Sequence, residues 1–276
     1  MIVGCGYVGE RLSRALAAAG ADVLATTRSP ARAAALPVAA AVADPYQPET
    51  IPFSAGDIVV DSVPADIERG EHLGRLAAAA GAAGVRRIIY LSATSVYGPG
   101  DGSWVDEGTP ALGTGARARA RLAEERALAA SGVRGVSLRI AAIYGPGRGI
   151  HERVRAGTHR VYGDGASFLS RIHVDDLVAV IRAAGEAPEP GPVYVVGDDE
   201  PCTAREHADG VAAMLGLPPP PSIPLADAPP VAAEMFLSNR RIRNARMKAE
   251  LGVRLRHPGW REGLAAILLD EGRRGV

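Results

Sequence analysis

Near the start of the chain, Gly4-Cys5-Gly6-Tyr7-Val8-Gly9 spaces three glycines as G-x-G-x-x-G between a short apolar run and a helical stretch. Each glycine has its own task. Gly4 permits a tight turn, Gly6 lets backbone approach a pyrophosphate, and Gly9 lets helix and strand pack closely. The helix that begins at Tyr7 adds unpaired N–H groups and the positive end of its dipole. The chemistry indicated is dinucleotide binding, with Cys5, Tyr7 and Val8 completing the loop. Sites of this kind that hold NAD place an Asp or Glu about 20 residues on, at the end of the second strand, for the ribose hydroxyls. Here that stretch reads Ala25-Thr26-Thr27-Arg28-Ser29, with no acid. Thr27 and Arg28 stand where a 2′-phosphate would lie. A charge-assisted hydrogen bond of about 1.5–3 kcal/mol from Arg28 favours NADP(H) by about 10- to 150-fold, leaving NAD(H) the second choice.

These residues need a scaffold, and the sequence supplies one. Short apolar runs alternate with helical stretches, which is the pattern of a doubly wound parallel α/β sheet of the Rossmann type. The spacing predicts strands at 1–3, 23–26, 38–43, 58–61, 87–91, 136–140 and 193–196. It predicts helices at 7–19, 68–80, 117–130 and 175–184. Residues 1–144 and 173–197 are therefore expected to form the dinucleotide-binding domain. Residues 145–172 and 198–276 lack the alternation and are expected to form a smaller C-terminal substrate domain over the carboxyl ends of the strands. The stretch 217–230 carries seven prolines and reads as an irregular surface connection. The first strand is short for its type, so the start is expected to lack a few residues.

The bulk composition narrows the function. A chain of 276 residues buries a large core without staples. Basic and acidic residues balance at 31 each, which argues against nucleic-acid or anionic-membrane partners. Two cysteines make no disulfide framework, and no run of about 18 apolar residues suggests a span. A cytoplasmic protein is expected, monomeric or homodimeric, acting on a small molecule. No metal site is expected: His151 and His159 lack flanking ligands and His207 is isolated.

Further along, Leu91-Ser92-Ala93-Thr94-Ser95-Val96-Tyr97-Gly98 and Leu138-Arg139-Ile140-Ala141-Ala142-Ile143-Tyr144-Gly145 follow the fifth and sixth strands. With Tyr162-Gly163-Asp164-Gly165, Ile172-His173-Val174-Asp175-Asp176 and Asn244-Ala245-Arg246-Met247-Lys248, they make an ordered set spanning the chain. By that set the chain resembles the extended short-chain dehydrogenase/reductases, the NAD-dependent epimerase/dehydratase family. The resemblance implies an oxidoreductase or epimerase. It also implies that Asp44 lies near the adenine and that Ser62, Val63, Pro64 and Ser92 line the cofactor.

The catalytic signature departs from that family, which uses a Ser/Thr three residues before the Val of Val-Tyr-Gly and a Tyr-x-x-x-Lys pair on the next helix. Those positions are Ala93, Arg117 and Arg121, and Lys248 is the one lysine in the chain. The chain thus resembles an atypical branch, with the cofactor fold kept and the standard acid/base group lost. A positioned proton donor is worth about 10²–10⁴ in rate. The replacement candidates are Tyr97, Tyr144, His173 and Thr94, each of which also has an ordinary structural role as packing residue, helix start or loop hydroxyl. Arg117 and Arg121 share one side of a helix and can hold an anionic substrate, and Trp104 can cover the cleft. Two functions stay open: turnover of a small polar carbonyl or hydroxyl compound with a non-standard proton donor, or a catalytically silent NADP(H)-binding sensor or partner-binding protein.

Overall fold

The computed structural model describes residues 1–274. Seven strands, all parallel, make the central sheet: β1 (Ile2–Val3), β2 (Leu24–Thr27), β3 (Ala39–Val42), β4 (Ile58–Asp61), β5 (Arg87–Ala93), β6 (Gly135–Ile140) and β7 (Val193–Val196). Their spatial order is β7-β6-β5-β4-β1-β2-β3. The chain winds outward from β1 to β3, then returns to β4 on the other side of β1. The strand order reverses there, and the carboxyl ends part to leave a crevice.

Alternation along the buried strands sends neighbouring residues to opposite faces. Ile2, Val60, Ile89 and Leu91 join the core under α1 (Tyr7–Ala18) and, later in the chain, α6 (Val174–Glu186). Val3, Val59, Ile88 and Tyr90 join the core on the other face, under α3 (Leu73–Ala82) and Leu128 of α4 (Ala116–Ala130). The short helix α2 (Pro30–Ala35), capped by the Ser29 side chain, covers the β2–β3 edge. The helix expected from Glu68 starts only at Leu73. The carboxylate of Asp66 accepts from the N–H groups of Glu68 and Arg69, at 2.9 and 3.0 Å, and diverts these residues into a turn.

A further cluster lies beyond the sheet. Tyr144, Val154, Cys202, Val211, Trp260, Leu264 and Ile267 pack together around α5 (Ile150–Arg155), α7 (Ala204–Met214) and α10 (Trp260–Arg274). Within the expected 198–276 unit, Met247 and Val253 instead pack into the core of the main sheet. They are carried there by α9 (Ala245–Leu251), which lies against α6 and β7. The proline-rich stretch 217–230 contains one short strand, Ser222–Ile223, paired with Val161–Tyr162, and a 3₁₀ turn. It leads into α8 (Pro230–Ser238). Among the described residues no helix is long and apolar enough to cross a membrane.

Buried charges fix the helices against the sheet. Arg87, at the start of β5, donates to the carbonyls of Ala184, Gly185, Ala187 and Pro188, closing the C-terminus of α6 with a positive charge. Two adjacent acids on α4 are deeper. Glu124 accepts from His72 Nδ1 at 2.7 Å and from the Leu73 N–H at 2.8 Å, while His72 Nε2 meets Asp61 at 3.0 Å. Glu125 takes a bidentate grip from Arg139 of β6, its closest approach 2.8 Å, and a 2.6 Å bond from the Ser92 hydroxyl. All six side chains are buried.

Burial opposes a charge on His72, but the hydrogen bonds from Asp61 and Glu124 outweigh it and hold the imidazole pKa up to about 10. The folded protein therefore keeps a proton that the unfolded chain releases near 6.5. This contribution is full below the unfolded value and disappears as pH rises through the folded one. Urea unfolding of the parent and His72→Gln from neutral pH upward is expected to show their stability gap narrowing towards pH 10. A gap that stays constant would mean a neutral His72.

Candidate active site

The crevice at the strand-order reversal is a cleft of about 710 Å³. Its floor is the glycine loop, where Gly4, Cys5 and Gly6 face Val63 and Pro64 after β4, with Thr27 and Arg28 after β2 along one wall. Gly4 has φ +77°, and an added Cβ would lie 2.8 Å from Val63 Cγ2. At Gly9 an added Cβ would come within 3.1 Å of Ile2, so this glycine sets the spacing of α1 on β1. Gly6 is different: a Cβ there meets nothing within 4 Å, and no side chain caps the N-terminus of α1. Open space above a helix end with unsatisfied N–H groups is what a pyrophosphate requires, so the cleft fits a dinucleotide.

Arg28 is exposed along that wall, with no carboxylate at the end of β2. Arg32, one turn on, donates to the Cys5 carbonyl at 3.1 Å and pairs with Glu10 at 3.4 Å. Its spacing of four from Arg28 was the available signal for a second basic group beside the loop. The far end of the cleft is lined by Pro45, Tyr46 and Ile67. Asp44 does not line it: Arg69 holds the carboxylate at 2.8 Å, stacks 3.8 Å from the Tyr46 ring centroid, and keeps the Asp44 pKa below the usual range. Tyr46 also donates to the Gly70 carbonyl at 3.3 Å, so residues 66–70 are strapped across this end.

A second cavity of about 490 Å³ opens beyond the carboxyl ends of β5 and β6. It is bounded by Ala93, Thr94 and Ser95, by Ile140–Ala142, by Phe168 and Leu169, and by the segment from Leu237 to Ile242. That segment is held down by Arg240, which is buried and donates to the carbonyls of Thr94, at 2.9 Å, and Gly98. Burial lowers the Arg240 pKa to about 10. Arg117 and Arg121 line both the cleft and this cavity. Arg121 donates to the Leu91 carbonyl at 3.2 Å, while Arg117 is exposed and has no hydrogen bond or ion pair among the described residues.

The remaining expected residues lie elsewhere. Tyr97 is buried outside both cavities; its hydroxyl donates to the Asp106 carbonyl at 2.7 Å and accepts from Arg139, and burial raises its pKa. Tyr144 packs in the outer cluster, donates to the Gly259 carbonyl at 3.3 Å, and is pushed well up by burial. His173 caps α6, accepting the Asp175 N–H at 3.2 Å on Nδ1, with its ring 4.1 Å from that of His257. Burial, then the neighbouring His257, push its pKa down to about 4. Of the four catalytic candidates, Thr94 is the one that lines a cavity.

Ser92 turns inward to Glu125, and Ser62 is outside both linings. Tyr7 lies under Arg11, at 3.7 Å, with its hydroxyl on the Pro146 carbonyl, while Val8 and Gly9 are buried behind the loop. Trp104 is stacked by Arg241 at 5.3 Å, where its short strand pairs with Arg241–Ile242, and serves that pairing rather than the cavity wall. Arg240 gave no sequence signal, because it falls between the proline-rich stretch and the Asn244–Lys248 element and belongs to neither. Two groups gather possible metal ligands away from both cavities: His173 with Asp175 and His257, and His151 with Glu152 and Glu271.

Comparison with known proteins agrees with this layout. The sequence model of the NAD-dependent epimerase/dehydratase family matches residues 1–197. A 3-diazoavenalumate denitrifying reductase from a Streptomyces species is 35% identical over 212 residues, covering 71% of this chain and 69% of that protein. A 2-alkyl-3-oxoalkanoate reductase from Stenotrophomonas maltophilia (strain K279a) is 32% identical over 160 residues, which span 51% of this chain and 48% of that protein. Among solved structures, a functionally unknown conserved protein from Silicibacter pomeroyi DSS superposes with a TM-score of 0.86 at 37% identity, covering 98% of this chain and 97% of that one.

Since the Gly6 Cβ position points into open space, Gly6→Val is expected to fold and melt like the parent while losing the rise in melting temperature expected of the parent with a nicotinamide dinucleotide. Retention of that rise would place the phosphates elsewhere.

Proposed function

This chain belongs to the NAD-dependent epimerase/dehydratase family, and we propose that it is an NADP(H)-dependent oxidoreductase or epimerase that works without the family's tyrosine acid. Its substrate is a small polar carbonyl or hydroxyl compound. The observation that carries the reading is the position of Arg117 and Arg121, which line both the dinucleotide cleft and the second cavity. A nicotinamide cofactor, when bound, would supply or accept a hydride.

The chain's own residues then divide the work. The glycine loop and the open end of α1 hold the pyrophosphate, and Arg28 takes the 2′-phosphate. The two guanidinium groups at the junction stabilise negative charge that develops on the reacting oxygen, as preorganised donors do. A guanidinium does not cycle its proton near neutrality, so the proton comes from water, relayed through the Thr94 hydroxyl at the cavity wall. Tyr97, Tyr144 and His173 are excluded from this relay by their placement away from the cavity. A second reading, an NADP(H)-binding sensor without turnover, is favoured by one observation: Ala93, Arg117 and Arg121 replace all three positions of the standard group.

Two measurements test the assignment. NADPH is expected to raise the melting temperature at lower concentration than NADH, and Arg28→Glu to reverse the order; equal shifts would remove the NADP(H) preference. Single-turnover NADPH oxidation against a panel of ketones, sugars and imines should find a substrate. On it, replacing Arg117 by Tyr and Arg121 by Lys together is expected to lower the rate by about tenfold or more. A gain from that double replacement would sink the fixed-charge mechanism, and tight NADPH binding with no turnover on any compound would establish the sensor.

A further inference from the structure

We propose that the second cavity selects a substrate built as one carboxylate on a flat apolar body, such as an aryl or unsaturated oxo acid. This inference rests on the reductase reading and names the substrate class of the same site. Three of the side chains lining the cavity, Arg117, Arg121 and Arg240, are cations, and among the described residues no carboxylate, imidazole or side-chain amide lines it. Arg240 spends its hydrogen bonds on the carbonyls of Thr94 and Gly98, and Arg121 makes one to Leu91, so among the described residues neither charge is neutralised by an acid. Arg117 has no partner at all among the described residues. A guanidinium donates only, and the complementary group is one that accepts only and carries the opposite charge.

The rest of the lining is largely apolar, with Thr94, Ser95, Thr114, Ser170 and Ser238 as its hydroxyl-bearing residues. Ile140, Ala141, Phe168, Leu169 and Ile242 give apolar surface around the arginines. Sugar hydroxyls are donors as well as acceptors, and each one that meets the apolar stretches rather than one of these few side-chain hydroxyls costs free energy. A planar apolar group loses nothing there and gains from leaving water. The cavity volume of about 490 Å³ lies in the range of small-molecule sites.

The test is isothermal titration of benzoylformate, its methyl ester and UDP-glucose into the full chain, with and without NADPH, beside a titration of NADPH alone. Benzoylformate is expected to bind at least about tenfold more tightly than the ester, the factor given by one charge-assisted hydrogen bond. Leu237→Glu places a carboxylate at the cavity mouth without touching the cleft; Leu237 is 52% exposed, so the fold tolerates it. This variant should weaken benzoylformate by about tenfold or more while leaving the ester unchanged, and Arg117→Gln should weaken benzoylformate by about tenfold or more as well. Equal binding of acid and ester, preference for UDP-glucose, or no binding of benzoylformate would each overturn the proposal. If NADPH binds and benzoylformate does not, the substrate class fails and the cofactor reading stands. If benzoylformate binds and NADPH does not, the cofactor reading fails and the cavity's selectivity stands.

Discussion

Two carboxylates next to each other on α4 set the geometry on which the junction depends. Neighbours on a helix diverge by about 100°, so Glu124 and Glu125 reach into different walls. Glu124 ties α4 to α3 and the end of β4 through His72 and Asp61, while Glu125 ties it to β5 and β6 through Ser92 and Arg139. Only one rotation and one height of the helix satisfy both. Burying such groups is costly unless every partner is present, and removing one partner from a buried pair costs about 3–5 kcal/mol. The arrangement is therefore a better guarantee of placement than a source of net stability.

What is placed is a pair of permanent charges. Arg117 and Arg121 lie two turns and one turn, respectively, before the anchored acids and project to the edge shared by the two cavities. The family resemblance implies at these positions a tyrosine that passes the proton and a lysine that lowers its pKa. Guanidinium groups substitute a fixed field for a mobile proton, which suits chemistry whose difficult moment is charge accumulation rather than proton transfer. The same buried network engages Tyr97, whose hydroxyl donates to the Asp106 carbonyl and accepts from Arg139.

Much of this was legible in the sequence where a single segment carries its own signal. The runs at 58–61 and 193–196 fall on β4 and β7 to the residue, because each is a short apolar strand with clear breaks at its ends. The glycine loop and the missing acid after β2 are likewise local. Helix starts were less legible: the Asp66 carboxylate outcompetes helical pairing over Glu68 and Arg69, and pattern alone does not register that. Long-range partners were not legible at all. Arg69 claims Asp44 from 25 residues away, Glu125 finds Arg139 on another element, and Arg240 arrives from beyond the proline-rich stretch. Those pairings decide which of the expected polar groups are free to react, so the fold was easier to read than the roles.

The strap at residues 66–70 and the cover at 237–242 are each fastened by an arginine, but in unlike surroundings. Arg69 holds Asp44 in contact with solvent, their side chains 36% and 25% exposed, whereas Arg240 is buried and grips backbone carbonyls. Mobile ions screen the first fastening and do not reach the second. Ionic strength thus acts as a selective key: raising it loosens the far end of the cleft, at Pro45, Tyr46 and Ile67, while the roof of the inner cavity stays shut. Entry to the two compartments is governed by separate physics, and the outer one is the compartment that the surrounding medium controls.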